Sequence, residues 1–374
     1  MTPDKSQKLS TYHISTTEEF EKLKNIWGEL LAQNHVQSAF MAWEWLFSWW
    51  KIYNETCQLW IVTTWKGEEL LGILPLGLYN EKKRSIHFRT LRPLGCPQID
   101  VSGVLVKDQN EDVLESLCQY LVDRHTDWDI LELKYYRQDD PALVFFKSSL
   151  RQKGLSFREK TNNHFHISLE GSWAEYRPKL SRKFRKNLRR AARHAHESGE
   201  VAFEHFSGAN ITWQVFEKII KVNQYTHYPL LFNSSREQAF HKELTKHTHT
   251  KEILTVFLLS IDKIPLAYEY GFIYKDRYES WRAGYDTRSD PIMSLGKLLS
   301  QMAIEQAFDL NYKEIDFLRG DEAYKEEWKP FTRKYSKVQF IRKTNFVACF
   351  VFIWLPRIKA FVKDLIPERF IKRR

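Results

Sequence analysis

Two stretches in opposite halves of the 374-residue chain read as copies of one supersecondary unit, and no other feature limits the fold as strongly. The first begins Leu59-Trp60-Ile61-Val62, turns at Lys66-Gly67-Glu68 and returns through Leu70-Leu71-Gly72-Ile73-Leu74. The second begins Leu254-Thr255-Val256-Phe257, turns at Asp262-Lys263 and returns through Leu266-Ala267-Tyr268-Glu269. Apolar runs joined by such short turns predict β-hairpins. Each hairpin precedes another strand, a helix and a strand with an acid in an apolar run, Asp129–Leu133 and Lys313–Phe317. That order predicts an α/β fold with a mixed sheet, built twice in tandem. The break falls near Gly154, after a helix at Pro141–Lys153, giving domains 1–155 and 156–345 and a tail at 346–374.

The copies are not equivalent. Leu74 stands where the second has Glu269, and the loop Arg92-Pro93-Leu94-Gly95-Cys96-Pro97 carries two prolines where the second has Ser294-Leu295-Gly296-Lys297. In the second copy Tyr278–Tyr285 reads as a strand, Asp286–Pro291 as a loop and Ser294–Lys297 as a helix start. A helix start offers unpaired amides and the positive end of the helix dipole. The amides from Ile292 to Lys297 therefore suit a pyrophosphate such as that of coenzyme A. Met293, Ser294, Leu295, Gly296 and Lys297 are the candidate cofactor residues. The next strand, Glu314–Leu318, delivers Asp316, Arg319, Asp321, Tyr324 and Lys325 toward the same junction.

Composition narrows the class. A hydrophobic fraction of 43% can fill two cores, and 25 Phe, 17 Tyr and 13 Trp favour strand-rich cores over a flexible scaffold. The four cysteines are scattered without ligand spacing, and His241, His247 and His249 make no zinc pattern, so no metal is expected. No GxSxG, Walker A or GxGxxG string occurs, which removes the usual anchors of hydrolases, kinases and dehydrogenases. The N-terminus lacks an apolar signal region, so a cytoplasmic location is expected. The net charge of +10 is concentrated in two places, seven bases without an acid in Arg182–Arg193 and seven bases against two acids in Pro356–Arg374.

The strings Gly284-Tyr285-Asp286, Ser294-x-Gly296-x-Leu298-Leu299 and Asp316-Phe317-x-x-Gly320-x-Glu322-x-Tyr324-Lys325-x-x-Trp328 resemble the GNAT-related acetyltransferase family of the cellulose-biosynthesis type. They are more distantly similar to the FemABX aminoacyltransferases of cell-wall synthesis. The resemblance covers the second half, from near Trp173 to Trp328. One departure is Ser294-Leu295-Gly296 in place of the family's Ser-Pro-Gly, which loses a preset backbone angle but keeps the amides. The resemblance implies two tandem GNAT-like domains, the first shaping a substrate groove, with acetyl-CoA or another acyl-CoA as donor. It also implies that Lys325 steadies the developing oxyanion or orients the acceptor, and that Tyr324 returns a proton to the leaving thiolate.

Acyl transfer needs a base, and two acids compete for the role. Glu269 lies mid-strand among Ala267, Tyr268 and Tyr270, where burial would raise its pKa; alternation of faces equally allows a solvated carboxylate. Asp316 lies between Ile315 and Phe317 at a strand end, where open α/β sheets place ligands; it could instead pair structurally with Arg319 or Arg282. Lys325 with Glu326, Glu327 and Lys329 also reads as an ordinary solvated charge cluster. The helix from Ser181, with Phe184 and Leu188 on its apolar face, is so cationic that an anionic partner is expected, since like charges at i,i+4 repel. Arg185, Arg189, Arg282, Tyr285 and Arg319 are the candidate substrate-binding residues.

The tail divides at Pro356. Phe346–Leu355 is apolar but too short to span a bilayer, and beyond it Ile358, Phe361, Val362, Leu365 and Ile366 predict a basic amphipathic helix. Peripheral attachment to an anionic membrane surface and packing of that face on the protein are both open. The expected function is acyl-CoA-dependent acyl transfer to a sugar, amino sugar or envelope precursor. The alternatives are an aminoacyltransferase using charged tRNA, the one reading that requires nucleic acid, and a non-catalytic membrane-associated scaffold.

Overall fold

The computed structural model describes residues 8–355 except 84, 228–231, 233 and 249–252, together with residue 358. His249 and, Ile358 apart, the expected amphipathic helix at Pro356–Arg374 lie outside the described residues. The architecture is mixed α/β, as expected, and the chain forms two compact units.

The first unit comprises Met1–Val36, Tyr53–Asn162 and Tyr335–Arg374. Its strands are β1 (Leu9–Ile14), β2 (Gln58–Lys66), β3 (Glu69–Lys83), β4 (Ile86–Pro93), β5 (Leu105–Val106) and β6 (Ile130–Arg137), with the first part of β7 (Leu155–Ser168). The second unit comprises Gln37–Ile52 and Asn163–Lys334. It holds the rest of β7, then β8 (Val201–Ser207), β9 (Leu254–Ile261), β10 (Ile264–Tyr274), β11 (Arg277–Tyr285) and β12 (Glu314–Arg319), while β13 (Phe331–Arg342) returns to the first unit. The units thus exchange segments relative to a linear division. Gln37–Ile52 belongs with the second because its Trp-rich helix packs there, Trp45 lying 5.6 Å from Phe240 and 6.3 Å from Trp281.

Both hairpins form with the expected turns. β2 pairs β3 from Gln58–Leu78 to Lys66–Glu69, and β9 pairs β10 from Leu254–Phe272 to Ile261–Ile264. Asp262 and Lys263 take φ of 50° and 65°, the left-handed pair that a two-residue hairpin turn requires. The same layout follows in each unit: an antiparallel third strand, then a parallel partner reached through a helix. β4 meets β6 in parallel at Thr90–Ile130 and Leu91–Leu131, and β11 meets β12 at Arg277–Glu314 through Glu279–Asp316. The β11–β12 pairing ends there although β11 continues to Tyr285, so the two strands part toward their C-terminal ends.

Each unit has its own core. In the first, Leu74, Leu76, Leu91, Leu117, Leu131 and Phe146 pack together, and β13 contributes Val338 and Phe340. In the second, Phe184 and Leu188 of the basic helix (Arg182–Ser198) pack with Phe257, Leu259, Tyr278, Leu298, Leu299 and Trp328. Every residue of β9 is buried, as expected of a strand covered on both faces. Ser181 caps the basic helix by accepting the Phe184 amide at 3.1 Å, the role its position predicts.

Candidate active site

The junction between β11 and the helix Leu295–Asp309 is built by a tight turn. Asp290 accepts the Ile292 amide at 2.8 Å, and the Met293 and Ser294 amides close onto the carbonyls of Asp290 and Pro291. Ser294 sits at φ 43°, ψ 48°, and its hydroxyl donates to the Pro291 carbonyl instead of capping the helix. The Lys297 amide donates to the Ser294 carbonyl at 2.9 Å. The expectation of open amides from Ile292 to Lys297 is therefore corrected. Those of Leu295 and Gly296 alone find no acceptor among the described residues, because the turn consumes the others.

Beside these amides lies a cavity of about 240 Å³. The basic helix lines it with Asn187, Leu188, Arg190 and Ala191, and the turn lines it with Pro291, Ile292, Ser294 and Lys297. Arg190 has no acidic partner among the described residues, and Lys297 pairs with Glu327. Two cations and an amide side chain on one concavity, set against the start of a helix, fit an anionic diphosphate. Of the basic helix, Asn187 and Arg190 line this cavity, while the substrate candidates Arg185, half-buried, and Arg189, exposed, do not. Gly296 is needed for close packing, since a Cβ there would stand 3.1 Å from the Tyr285 ring.

Along the same helix, about 9 Å beyond Ser294 at 1.5 Å per residue, Ser300 marks a second polar cluster. At its centre is Glu269, fully buried rather than solvated. Its carboxyl accepts hydrogen bonds from Ser280 at 2.8 Å, Tyr278 at 3.0 Å and Ser300 at 3.2 Å. Burial raises the Glu269 pKa, and the three hydroxyls partly oppose that rise. Tyr324, from the short helix Ala323–Glu326, joins the cluster; burial chiefly, then the charges of Glu269 and Glu322, push its pKa upward. The structure thus brings Glu269 and Tyr324 together.

It occupies the other candidates elsewhere. Asp316 is fully buried, accepting the Leu318 amide at 2.8 Å and pairing with Arg333 at 3.2 Å, not with Arg319 or Arg282. Arg333 also grips Glu314, so Asp316 belongs to an ion-pair network that fastens β12. Lys325 is buried and donates to the carbonyls of Phe317, Arg319 and Gly320, with Glu322 beside it, so its charge stitches the end of β12. Arg282 stacks 4.2 Å from the Trp281 ring and lies 3.6 Å from Glu237. Tyr285 meets His227 and the helix start, and Arg319 is exposed at the strand end.

Unit one shows what the site lacks when unequipped. Its corresponding helix, Glu111–Asp123, is capped by Asn110, which accepts the Asp112 and Val113 amides, and Glu111 and Asp112 make its first turn acidic. Leu74, at the place of Glu269, is a core residue.

The fold is GNAT-like, and a domain match supports an acyltransferase. Residues 182–326 match the model of the acetyltransferase (GNAT) domain, a family whose members use an acyl-CoA donor and an acceptor. No curated protein matches the chain. In fold the chain is similar to the C-terminal domain of a putative lysylphosphatidylglycerol synthetase from Agrobacterium fabrum, with TM-score 0.56 and 10% identity over 90% of this chain and 96% of that one. It is similar also to FemX, with TM-score 0.56 and 10% identity over 87% and 96%. A tandem GNAT protein from the clavulanic acid biosynthesis pathway aligns with TM-score 0.50 and 10% identity over 88% and 98%. Among the described residues no group of side chains could hold a metal ion, and no helix is long and apolar enough to cross a membrane.

Proposed function

We propose that the protein is an acyltransferase of the cellulose-biosynthesis type, using acetyl-CoA or another acyl-CoA to acylate an amine or hydroxyl of a sugar, amino sugar or envelope polysaccharide precursor. The observation that carries this reading is the cavity at the start of the helix Leu295–Asp309, lined by Asn187, Arg190, Ser294 and Lys297. Those groups would hold the cofactor's diphosphate, and the parting of β11 from β12 would admit its acyl arm. Bound there, the cofactor supplies an activated thioester carbonyl.

Glu269 is the base that takes the proton from the acceptor's nucleophile. Because Glu269 is buried and Ser280 is only half-buried, the proton passes through the Ser280 hydroxyl, which already donates to the carboxyl. Tyr324 donates a proton to the departing sulfur, its raised pKa keeping it protonated until that moment. Asp316 and Lys325 act on neither proton; they fix the strand that aims Tyr324. The first unit serves as a non-catalytic partner domain, and the basic tail Pro356–Arg374 attaches the enzyme peripherally to an anionic membrane face.

A thermal-shift panel with acetyl-CoA, longer acyl-CoAs and free CoA tests the donor. A ligand at 100 times its dissociation constant should add about 2.7 kcal/mol of stability. Absence of any shift, with salt-sensitive binding of charged tRNA, would instead favour the aminoacyl reading. That second reading draws on Arg182, Lys183, Arg185, Lys186 and Arg189, which have no acidic partner among the described residues.

A further inference from the structure

The helix that follows β13 is docked by one face only. From Phe346 to Trp354 it buries Ala348, Cys349, Val351, Phe352 and Ile353 against Phe88, Ile130 and Ile341. The opposite face carries Phe346, Val347, Phe350 and Trp354, which are 70%, 52%, 47% and 47% exposed. Phe346, Phe350 and Trp354 recur at four-residue spacing with Val347 three before Phe350, so the large apolar side chains form a stripe along one side of the helix. No charged residue interrupts the segment. Water gains nothing from such a surface, and a folded chain does not leave four large apolar groups in line without a partner for them.

The surroundings say which partner. Lys83 holds its ammonium 3.9 Å over the Phe352 ring, at the tip of the β3–β4 hairpin. Its cross-strand neighbour, Ile86, is another exposed apolar residue. Lys82 and Lys343 are exposed beside these elements, and Arg158 and Lys337 add to the field at Lys83. The nearby acids are already engaged, Glu81 by Arg92 and Glu132 by Lys337. The chain beyond Leu355 then adds seven bases against two acids. An apolar stripe with an aromatic at its end, framed by the exposed Lys82, Lys83 and Lys343, is the pattern of a helix lying in a lipid interface.

We propose that the face formed by Phe346, Val347, Phe350 and Trp354 inserts into the headgroup boundary of an anionic lipid surface. This deepens the peripheral attachment assigned above to the basic tail: the tail supplies attraction, and the stripe supplies the apolar anchor. It is independent of the acyl-transfer chemistry, which resides in the second unit.

Co-sedimentation of the full chain with phosphatidylglycerol–phosphatidylcholine vesicles, against phosphatidylcholine alone, tests it. The wild type should partition to the anionic vesicles, and Phe350→Glu with Trp354→Glu should weaken partitioning at least about tenfold without lowering the melting temperature. Reversing the tail charges, as Arg357→Glu with Lys359→Glu and Lys363→Glu, isolates the tail; if that change abolishes binding while the stripe variant does not alter it, the stripe inference is overturned and the tail reading survives. Absence of wild-type binding overturns both. A lipid-free dimer dissolved by Phe350→Glu would assign the stripe to a second copy instead. As a variant that spares the fold, Val347→Cys can be labelled with an environment-sensitive dye, because the four native thiols are buried. Its emission should shift to the blue on anionic vesicles, and an unshifted spectrum refutes insertion.

Discussion

Replacing Glu269 by Gln keeps the side chain's shape and removes its basicity. In the wild type the carboxyl accepts three hydroxyl donors at 2.8, 3.0 and 3.2 Å. A Gln oxygen can keep Tyr278 and Ser280, and its amide can donate to the Ser300 hydroxyl, so the network survives. The variant should melt close to the wild type, whereas Glu269→Ala orphans the buried Tyr278 and Ser300 hydroxyls and should cost roughly 2–6 kcal/mol at about 1–3 kcal/mol each. Loss of a positioned base should lower turnover by about 10²–10⁴-fold. The acid's pKa is raised in the folded state, so the native protein binds more protons than the unfolded chain between the ordinary glutamate value and the raised one. Stability therefore falls as pH rises through that window, and the Gln variant should lose this slope. In the same window wild-type turnover should climb with pH as the base ionises. Thiol release from acetyl-CoA with a panel of amino sugars gives the rate, and acyl-CoA titration calorimetry gives the binding. A Gln variant that turns over within about tenfold of wild type would falsify the assignment, as would one that binds no donor despite a native melt.

Three further outcomes are expected. Arg190→Ala and Lys297→Ala should each raise the KM for acyl-CoA about tenfold or more with little change in kcat, an effect that shrinks with added salt; equal loss in kcat would contradict a diphosphate contact. Asp316→Asn should lower stability by about 1–3 kcal/mol in chemical denaturation yet leave the pH profile of turnover unmoved, since its partner is Arg333; a shifted profile would restore Asp316 as a base candidate. His164 is buried and its pKa is lowered to about 4, chiefly by burial. The unfolded chain then binds the extra proton between the ordinary histidine value and about 4, so as pH falls through that window the protein should lose about 3 kcal/mol. His164→Phe should flatten the dependence, and an unaltered acid melt would show that some other group carries it.

Local signals were the ones that could be read from the chain. The hairpin turns, the Ser181 cap and the sequence of strand, turn and helix around Ser294 each depend on neighbours a few residues apart, and each appears where the pattern puts it. Glu269 was visible as an acid among aromatics, but its burial depends on Ser300 from a helix thirty-one positions on, and serines alone announce nothing. Asp316 shows the same limit. Nearby arginines were offered as partners, and the structure takes Arg333 from β13. On the basic helix the composition was plain while the facing was not: one residue turns the helix by about 100°, enough to exchange Arg189 for Arg190 at the cavity wall. Lys325 was read from the motif as a group for the oxyanion or acceptor, with a solvated charge as the other reading, and nothing in Lys325-Glu326-Glu327 signals three carbonyls waiting for it.

The exchange of segments between the units also governs how the chain can be made. β6 finds its outer neighbour in β13, whose Val338 and Phe340 complete the first core. The ribosome must add the whole second half before that strand emerges, a delay of about 10–40 s at ordinary elongation rates. Throughout it the nascent first unit shows a bare strand edge and an unfilled apolar seam, which invites pairing with other chains. Completion of the first unit consequently waits on the second, and the protein's yield in cells should follow the supply of chaperones that guard unfinished sheets.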